Sequence, residues 1–308
     1  MKLVEFCDKY YWPITESKCR ECTIAGYKSA WKCHIYPAFG EMELQDITAA
    51  EIEKWLMNFK TQGAARKSYR ILRPMLKTAY RYDLIESNPT DKVMYTFEPK
   101  KYVPRTLDKQ EVTQLINGFR GHDLEAFVIV TVSLGLRKEE ACALLWDDIN
   151  FETGEVTINK GAQWVNGHEV IVPPKTLLSN RTIYLPEFAH KRLKEIYARD
   201  SEDTRICKNY NPSQISRLFK KECERMNLPY VPPKNLRHSW ATISLHEGLP
   251  ISIISRNLGH YDVSTTARFY LSPKQDDLIK ASEVYNKAIN ESLFKKIKKK
   301  FIRFRKED

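Results

Sequence analysis

The sequence predicts a mainly α-helical protein that contains a small antiparallel β-sheet and is divided into two domains. Apolar residues recur at helical spacing through most of the first ninety residues and again after Glu187. Between Glu155 and Leu185, short β-rich runs alternate with glycine and proline, a pattern typical of hairpins. With 308 residues, 42% of them hydrophobic, the chain is long enough for two separate cores.

The first domain is expected to span residues 1–90 and to contain about four short helices. Helical spacing is clearest in residues 49–59 and 69–79. The segment Asp46-Ile47-Thr48 is expected to supply the capping residue for the first of these two helices, before Glu51. The segment 35–40, with sequence IYPAFG, is expected to break the helical pattern before it.

A linker and a second domain are expected to follow. Residues 91–105 are basic, contain two prolines and lack periodicity, which indicates an interdomain linker. The second domain, residues 106–308, should open with a helix capped by Asp108 or Thr106 and should be helical again from Glu187 to its end. Short β-rich runs lie at residues 155–159, 170–172 and 181–185.

The charge of the chain favours a polyanionic partner. Lys and Arg number 50 against 39 Asp and Glu, which gives a formal net charge of +11. Basic side chains that neutralise phosphates release condensed counterions, so such a surplus promotes binding to nucleic acid. No apolar run approaches the ~20 residues that a membrane span requires, so we expect no membrane association and a cytoplasmic protein. The seven cysteines are then expected to be reduced thiols.

A zinc site is one alternative for the first domain. Cys19 and Cys22 have zinc-knuckle spacing, and Cys33-His34 follows eleven residues later. Helical spacing through residues 23–35 is the better interpretation, since no second CxxC or HxxxH completes a ligand set. We therefore predict no metal site.

Four segments of the second domain carry residues suited to phosphate chemistry. Taken singly, each has an ordinary structural explanation, so their common order is the informative feature. They are Gly135-Leu136-Arg137-Lys138-Glu139-Glu140, Pro174-Lys175-Thr176 with Ser179 and Arg181, Asn235-Leu236-Arg237-His238-Ser239-Trp240, and Leu258-Gly259-His260 followed by Thr265-Thr266 and Tyr270.

In this order and spacing, the four segments closely resemble the tyrosine recombinase (phage integrase) family. The resemblance extends to the first domain, through the pattern HIxPxFG at residues 34–40 and Asp46-Ile47-Thr48. It implies the two-domain tyrosine recombinase architecture. Residues 1–90 would be a helical, SAM-like core-binding domain that binds DNA, and residues 106–308 a mixed α/β catalytic domain with a basic C-terminal tail.

The resemblance also implies the role of each residue. Tyr270 would be the nucleophile that forms a 3′-phosphotyrosyl link, and Arg137 and Arg237 would bind the scissile phosphate. Lys175 would protonate the leaving 5′-oxygen, and His260 would donate a hydrogen bond. Glu140 would support the active site without taking part in the chemistry.

One position departs from the usual family pattern. Lys234 stands three residues before the second arginine, where the family most often has histidine. An ammonium group can bind phosphate as a point charge but is a poor proton acceptor, so we assign Lys234 to phosphate contact. His238 is the fallback proton acceptor, although the motif favours a supporting role for it.

This chemistry needs neither a metal nor another cofactor, because guanidinium groups can stabilise the extra negative charge of the transition state. The implied partners are double-stranded DNA with core-type recombination sites, three further copies of the chain in a tetramer on DNA, and accessory directionality or DNA-bending factors. The protein would act in a bacterial cell, associated with the nucleoid. The basic residues expected to contact DNA are Lys60, Arg66, Lys67, Arg70, Lys100, Lys101 and Arg105.

Three alternatives remain open from the residues. A type IB-like topoisomerase would use the same chemistry on one duplex. A DNA-binding protein with a decayed active site would keep the basic surface, and a basic structural or RNA-binding protein would leave the four ordered segments unexplained. Within the family, the ten-residue step from His260 to Tyr270 favours an enzyme that integrates or excises a phage or other mobile element. The basic tail after Asn290 is a candidate for docking on a neighbouring subunit.

Overall fold

The computed structural model describes residues 1–97, 104–174, 179–200, 203–208, 210–260 and 262–264, together with Ala267 and Lys287. Within these residues the fold is mainly helical with short antiparallel strands, which confirms the predicted fold class. No helix in this part of the chain is long and apolar enough to span a bilayer. The predictions for Lys100, Lys101, Lys175, Tyr270 and the basic tail fall outside the described residues.

The first domain contains the expected four helical rods, two of which change their winding along their length. A π-helical turn joins α1 to α2, and α3 continues as π-helix to Gly40. The hydroxyl of Thr48 accepts a bond from the backbone N–H of Glu51 at 3.2 Å, so the segment 46–48 supplies the cap of α4, as expected, through Thr48. The helices are α1 (Leu3–Phe6), α2 (Trp12–Lys18), α3 (Glu21–Ala30), α4 (Ala49–Met57) and α5 (Gln62–Arg81).

The predicted helix break at residues 35–40 is wrong. The chain stays helical through Pro37 because this segment has π-helical winding, in which bonds reach back five residues instead of four. The wider turn leaves more room for the proline ring than an α-helical turn does. The helix ends at Gly40, where a β-carbon would lie 2.3 Å from the ring of Tyr36. Glycine is therefore the residue that allows this close contact.

The second domain opens as predicted, with Asp108 capping α6 and accepting a 2.8 Å bond from the N–H of Glu111. Two short helices, α7 and α8, then lead into the strands, and four more helices follow. The helices are α6 (Lys109–Gly118), α7 (Glu125–Leu134), α8 (Lys138–Ala143), α9 (Glu187–Arg199), α10 (Pro212–Arg225), α11 (Pro233–His246) and α12 (Ile251–Leu258).

The described strands form two antiparallel pairs, whereas a single small sheet was expected. Strand β1 (Glu155–Ile158) pairs with β4 (Arg181–Tyr184), and β2 (Gly161–Val165) pairs with β3 (His168–Val172). The turn between β2 and β3 has two residues of positive φ, Asn166 and Gly167, as a tight hairpin requires. Strand β2 was missed because its sequence, GAQWV, contains only one β-branched residue.

The described residues form two large hydrophobic cores and one small cluster. The first core is built from residues between Leu3 and Ile85, the second from residues between Leu107 and Leu236, and the small cluster from Ala241, Ile254 and Leu258. Helix α7 passes through the second core and is buried along its whole length. Its C-terminal end is therefore a fixed point, and the first of the four sequence motifs begins there.

Candidate active site

Arg137 is held in place by the turn that follows α7. Gly135 ends this helix with a φ of +65°, and a β-carbon at this position would lie 3.0 Å from the ring of Trp240. The backbone N–H of Arg137 then donates a 2.8 Å bond to the carboxylate of Glu140, three residues further along the first turn of α8. Both the backbone and the side chain of Arg137 are thus fixed by local structure.

The carboxylate of Glu140 lies among three arginines. It accepts a 2.6 Å bond from Arg137 Nη1 and two bonds, of 3.2 and 2.9 Å, from Arg181. Arg237 Nη1 lies 3.9 Å from Glu140 Oε2. Burial by itself raises the pKa of Glu140, but the bonds and charges of the arginines outweigh burial and lower this pKa to about 2. Glu140 is therefore ionised at neutral pH.

Arg237 connects the ends of two helices. It lies on α11, its side chain is 8% exposed, and it donates bonds to the carbonyl of Gly135 at 3.0 Å and to the carbonyl of Leu258. Arg137 is more open, with 37% of its side chain exposed, and its Nη2 lies 3.4 Å from the carbonyl of Gly259. The two predicted phosphate-binding arginines therefore meet at the turn after α12.

His260 follows that turn directly. Gly259 ends α12 with a φ of +64°, and the backbone N–H of His260 donates to the carbonyl of Ser255 at 3.1 Å. Burial, followed by the positive charges of Arg237 and Arg137, lowers the pKa of His260 to about 4. The imidazole is consequently neutral at pH 7, with one ring nitrogen as donor and the other as acceptor. The pKa of His238 is also lowered, by burial and by the charges of Arg237 and Lys234.

Arg181 is a residue whose role the sequence reasoning missed. It lies on β4 with only 5% of its side chain exposed, and besides Glu140 it binds the carbonyls of Asn257 at 2.6 Å and Ser179 at 3.1 Å. The hydroxyl of Ser179 lies 3.3 Å from the carbonyl of Gly259. In the sequence, Arg181 is the last residue of the second of the four motifs, which begins with Lys175-Thr176. Arg181 therefore ties β4 both to α8 and to the end of α12.

Comparison with known families identifies the protein class. Residues 105–276 match the model described as the phage integrase family, and residues 2–59 match the model described as the phage integrase N-terminal SAM-like domain. The first match alone covers more than half of the chain. The chain belongs to the phage integrase family. It is a tyrosine site-specific recombinase, an enzyme that cleaves and rejoins DNA.

Individual relatives agree with this assignment. The recombinase is 27% identical to a XerC-like tyrosine recombinase of Caldanaerobacter subterraneus subsp. tengcongensis, over 76% of this chain and 70% of the relative. It is 28% identical to the ICEBs1 integrase of Bacillus subtilis, over 80% and 75% of the two chains. Its fold is similar to that of the Tn1549 transposon integrase in complex with a circular intermediate DNA, with a TM-score of 0.79, 14% identity, and coverage of 92% and 99%.

The remaining residues predicted to bind DNA or phosphate lie at several places in the fold. Lys234 is exposed in the first turn of α11, three residues before Arg237, whereas the predicted DNA-contacting residues lie elsewhere. Lys60, Lys67 and Arg70 are exposed at or on α5, and Arg66 lies 5.4 Å from the ring centre of Phe97. Arg105 donates bonds to Glu111 and to the carbonyl of Tyr230, so this last residue of the predicted linker binds the second domain.

The cluster carries a surplus of positive charge. Arg137, Arg181 and Arg237 surround a single carboxylate, that of Glu140, which leaves two formal positive charges uncompensated within the group. A phosphodiester supplies one negative charge, and its transition state supplies a second, which makes the cluster complementary to the transition state. Among the described residues, no group of three or more His, Cys, Asp or Glu side chains is arranged to hold a metal ion.

Proposed function

We propose that this recombinase integrates and excises a mobile genetic element, and that Tyr270 cleaves one DNA strand to form a 3′-phosphotyrosyl intermediate. The observation that carries the proposal is the convergence of Arg137, Arg237 and His260 on the turn after α12, ten residues before Tyr270 in the sequence. The similarity to the integrases of ICEBs1 and Tn1549 supports the mobile-element role.

In the proposed cleavage step, the phenolic oxygen of Tyr270 gives its proton to solvent water and, as phenolate, attacks phosphorus. The bond from phosphorus to the 5′-oxygen breaks, and Lys175 donates the proton that the leaving oxygen needs. Arg137 and Arg237 bind the nonbridging oxygens, and Lys234 adds a point charge. His260 is neutral, so it donates one hydrogen bond to the phosphate without adding charge. Attack of a 5′-hydroxyl from a partner strand reverses the step without ATP.

DNA binding would involve both domains. Helices of the first domain would lie in the major groove, with Lys60, Arg66, Lys67 and Arg70 on phosphates and Lys100 and Lys101 continuing the basic surface along the linker. Arg105 is not retained in this set because it already binds Glu111 and the Tyr230 carbonyl. Exchange between two duplexes uses four cleavage events, so four copies would assemble, with accessory factors setting direction. The enzyme would act in the bacterial cytoplasm, at chromosomal DNA.

Covalent trapping tests this proposal. A duplex that carries the recombination site from the flanks of the encoding element is nicked next to the scissile phosphate, so that the released fragment diffuses away. We expect a protein–DNA adduct on a denaturing gel with the wild type in EDTA and none with Tyr270→Phe. A site that binds the wild type but yields no adduct would contradict the proposal. An adduct accompanied by relaxation of supercoils, without exchange between two duplexes, would indicate a type IB-like topoisomerase instead.

A further inference from the structure

The first domain contacts the β2–β3 hairpin of the catalytic domain, and one arginine makes the main contact. Arg20 immediately precedes α3, and its guanidinium group bridges two successive backbone carbonyls. Nη1 lies 3.0 Å from the carbonyl oxygen of Pro173, and Nη2 lies 3.0 Å from that of Pro174. Two parallel N–H donors on one planar group match two neighbouring acceptors, a geometry that arginine provides and lysine does not.

The two carbonyls are available because the hairpin ladder stops just before them. The pairing of β3 with β2 ends at Val172, opposite Gly161. The next two residues are prolines, which have no N–H to continue a ladder. Their carbonyls therefore need donors from outside the strand pair, and Arg20 supplies a charge-assisted donor to each.

This contact lies directly beside a residue proposed to act in cleavage, because Lys175 follows Pro174 in the sequence. On the other side of the same segment, Ser179 and Arg181 are anchored to Gly259 and Glu140. Pro174 is thus held by the first domain, and Ser179 and Arg181 are held by the turn after α12 and by Glu140.

A second, weaker contact accompanies the first. Glu21, the residue after Arg20, accepts a 3.3 Å bond from Asn166 Nδ2 and lies 3.5 Å from His168 Nε2. Asn166 belongs to the tight turn between β2 and β3, so the same end of α3 touches both the tip and the base of the hairpin. The side chains of Glu21 and His168 are about half exposed, and such surface pairs contribute little to stability.

We propose that Arg20 is a positioning residue for DNA cleavage, which fixes the hairpin end that immediately precedes Lys175. The inference rests on the proposed function, in which Lys175 protonates the leaving 5′-oxygen. It adds that protonation depends on the first domain, because Arg20 holds the backbone immediately before the general acid. Arg20 touches neither the phosphate nor the reacting atoms and acts through the backbone of Pro173 and Pro174.

A pair of nicked duplexes tests the inference, one with the normal bridging 5′-oxygen at the scissile phosphate and one with sulfur in its place. A thiolate leaves without a proton, because thiols are far stronger acids than alcohols. General-acid catalysis contributes about 10²–10⁴-fold. We expect Arg20→Ala to slow single-turnover cleavage of the oxygen substrate by at least about 10-fold. With the sulfur substrate, we expect its rate to stay close to that of the wild type.

Three further variants complete the experiment. Lys175→Ala should show the same selective loss, to a larger extent, as the reference for a missing general acid. Arg20→Lys should lie between Arg20→Ala and wild type, because one ammonium group can serve only part of the two-carbonyl site. Lys18→Ala, which removes a positive charge from the exposed end of α2, is the matched control and should cleave both substrates normally.

The outcomes separate the inference from the proposed function. Equal slowing of Arg20→Ala on both substrates, or a loss of DNA affinity that accounts for the slowing, would overturn the positioning role. Arg20→Lys serves the same purpose if Arg20→Ala fails to fold. If the wild type forms no Tyr270-dependent adduct on either substrate, the proposed function itself fails, and the inference fails with it.

Discussion

Glu140 and Arg181 are joined by two hydrogen bonds, of 2.9 and 3.2 Å, although one residue lies on α8 and the other on β4. Both side chains are at least nine-tenths buried. Such a pair is strongly destabilised when one partner is removed, because the remaining charge stays buried without compensation. Since Glu140 also binds Arg137, a change at position 181 should affect this arginine, which is proposed to bind phosphate, as well as the stability of the fold.

Arg181→Lys should lower both stability and cleavage. A single ammonium group cannot reach Glu140 and the carbonyls of Asn257 and Ser179 at once, so we expect the free energy of unfolding in urea to fall by about 2–4 kcal/mol. Under conditions where the variant is still folded, adduct formation should fall by at least about tenfold, since a misplaced catalytic group costs about that much or more. Arg192→Lys is the control, because Arg192 pairs with the buried Glu125 elsewhere in the same domain. It should destabilise without this loss of cleavage.

Arg137→Lys should separate binding from cleavage. Lysine keeps the charge but lacks the planar fork with which Arg137 contacts Glu140 and the Gly259 carbonyl and would also reach a phosphate oxygen. We expect adduct formation to fall by about 10²-fold or more, by analogy with the loss of one transition-state donor. DNA affinity in a filter-binding assay should stay within about tenfold of wild type. Normal cleavage by this variant, with Arg225→Lys as a remote control, would contradict the role of Arg137.

The lowered pKa of His260 predicts how it responds to acid. In the unfolded chain a histidine titrates near 6.5, whereas in the folded protein the pKa of His260 is about 4. Between these values the unfolded chain binds a proton that the folded protein does not, so the free energy of unfolding decreases as the pH falls from 6.5 towards 4. The stability contribution is fully present above pH 6.5. His260→Gln should flatten this dependence.

Histidine ring-proton NMR provides the direct measurement. The signal that disappears in His260→Gln should show no inflection near pH 6.5 in the free enzyme and should titrate near pH 4. An inflection at the ordinary value would mean that the arginines do not act on this imidazole. The cleavage rate should likewise not follow a pKa of 6.5 assigned to this residue.

Gly259→Ala should be more damaging than its small size suggests. Its φ of +64° disfavours any β-carbon, and that atom would lie 3.0 Å from Arg181 Nη1 and 3.2 Å from Ser179 Cα. We expect a loss of about 1–3 kcal/mol in urea unfolding, together with weaker cleavage. Gly26→Ala on α3 is the matched control, since no neighbouring atom lies within 4 Å of the β-carbon. There the change should leave stability unchanged or raise it by about 0.5–1 kcal/mol. Equal effects at the two positions would mean that the positive φ and close contacts of Gly259 are not what the turn requires.

The sequence predicted Arg137, Glu140, Arg237 and His260 as a group because the family motifs preserve their order along the chain. It did not reveal how they are held. The bonds from Arg237 to the Gly135 and Leu258 carbonyls join residues about a hundred and about twenty positions apart, and backbone acceptors have no sequence signature. Arg181 was present in a quoted motif, but its partner Glu140 lies 41 residues earlier. Only the folding of the domain brings these two side chains together.

Two predictions of secondary structure failed, at residues 35–40 and at strand β2, and each failure has a physical cause. Pro37 and Gly40 are typical helix breakers, and the prediction of a break there did not allow for a change from α-helical to π-helical winding. Strand β2 has little intrinsic β-propensity and is formed by pairing with β3, which depends on the tight turn at Asn166-Gly167. In both places, tertiary context decides the structure.

The carbonyl bonds of the three arginines have a consequence for the energetics of DNA binding. Each long arginine side chain loses up to about 2 kcal/mol of rotamer entropy when it becomes fixed. Here the bonds of Arg181 and Arg237, and those of Arg137 to Glu140, make that loss part of folding. A docking phosphate then meets side chains that are already ordered, so little of the binding free energy is consumed at the site of reaction. Since every phosphate in DNA is alike, choice among DNA sequences has to come from contacts elsewhere on the protein.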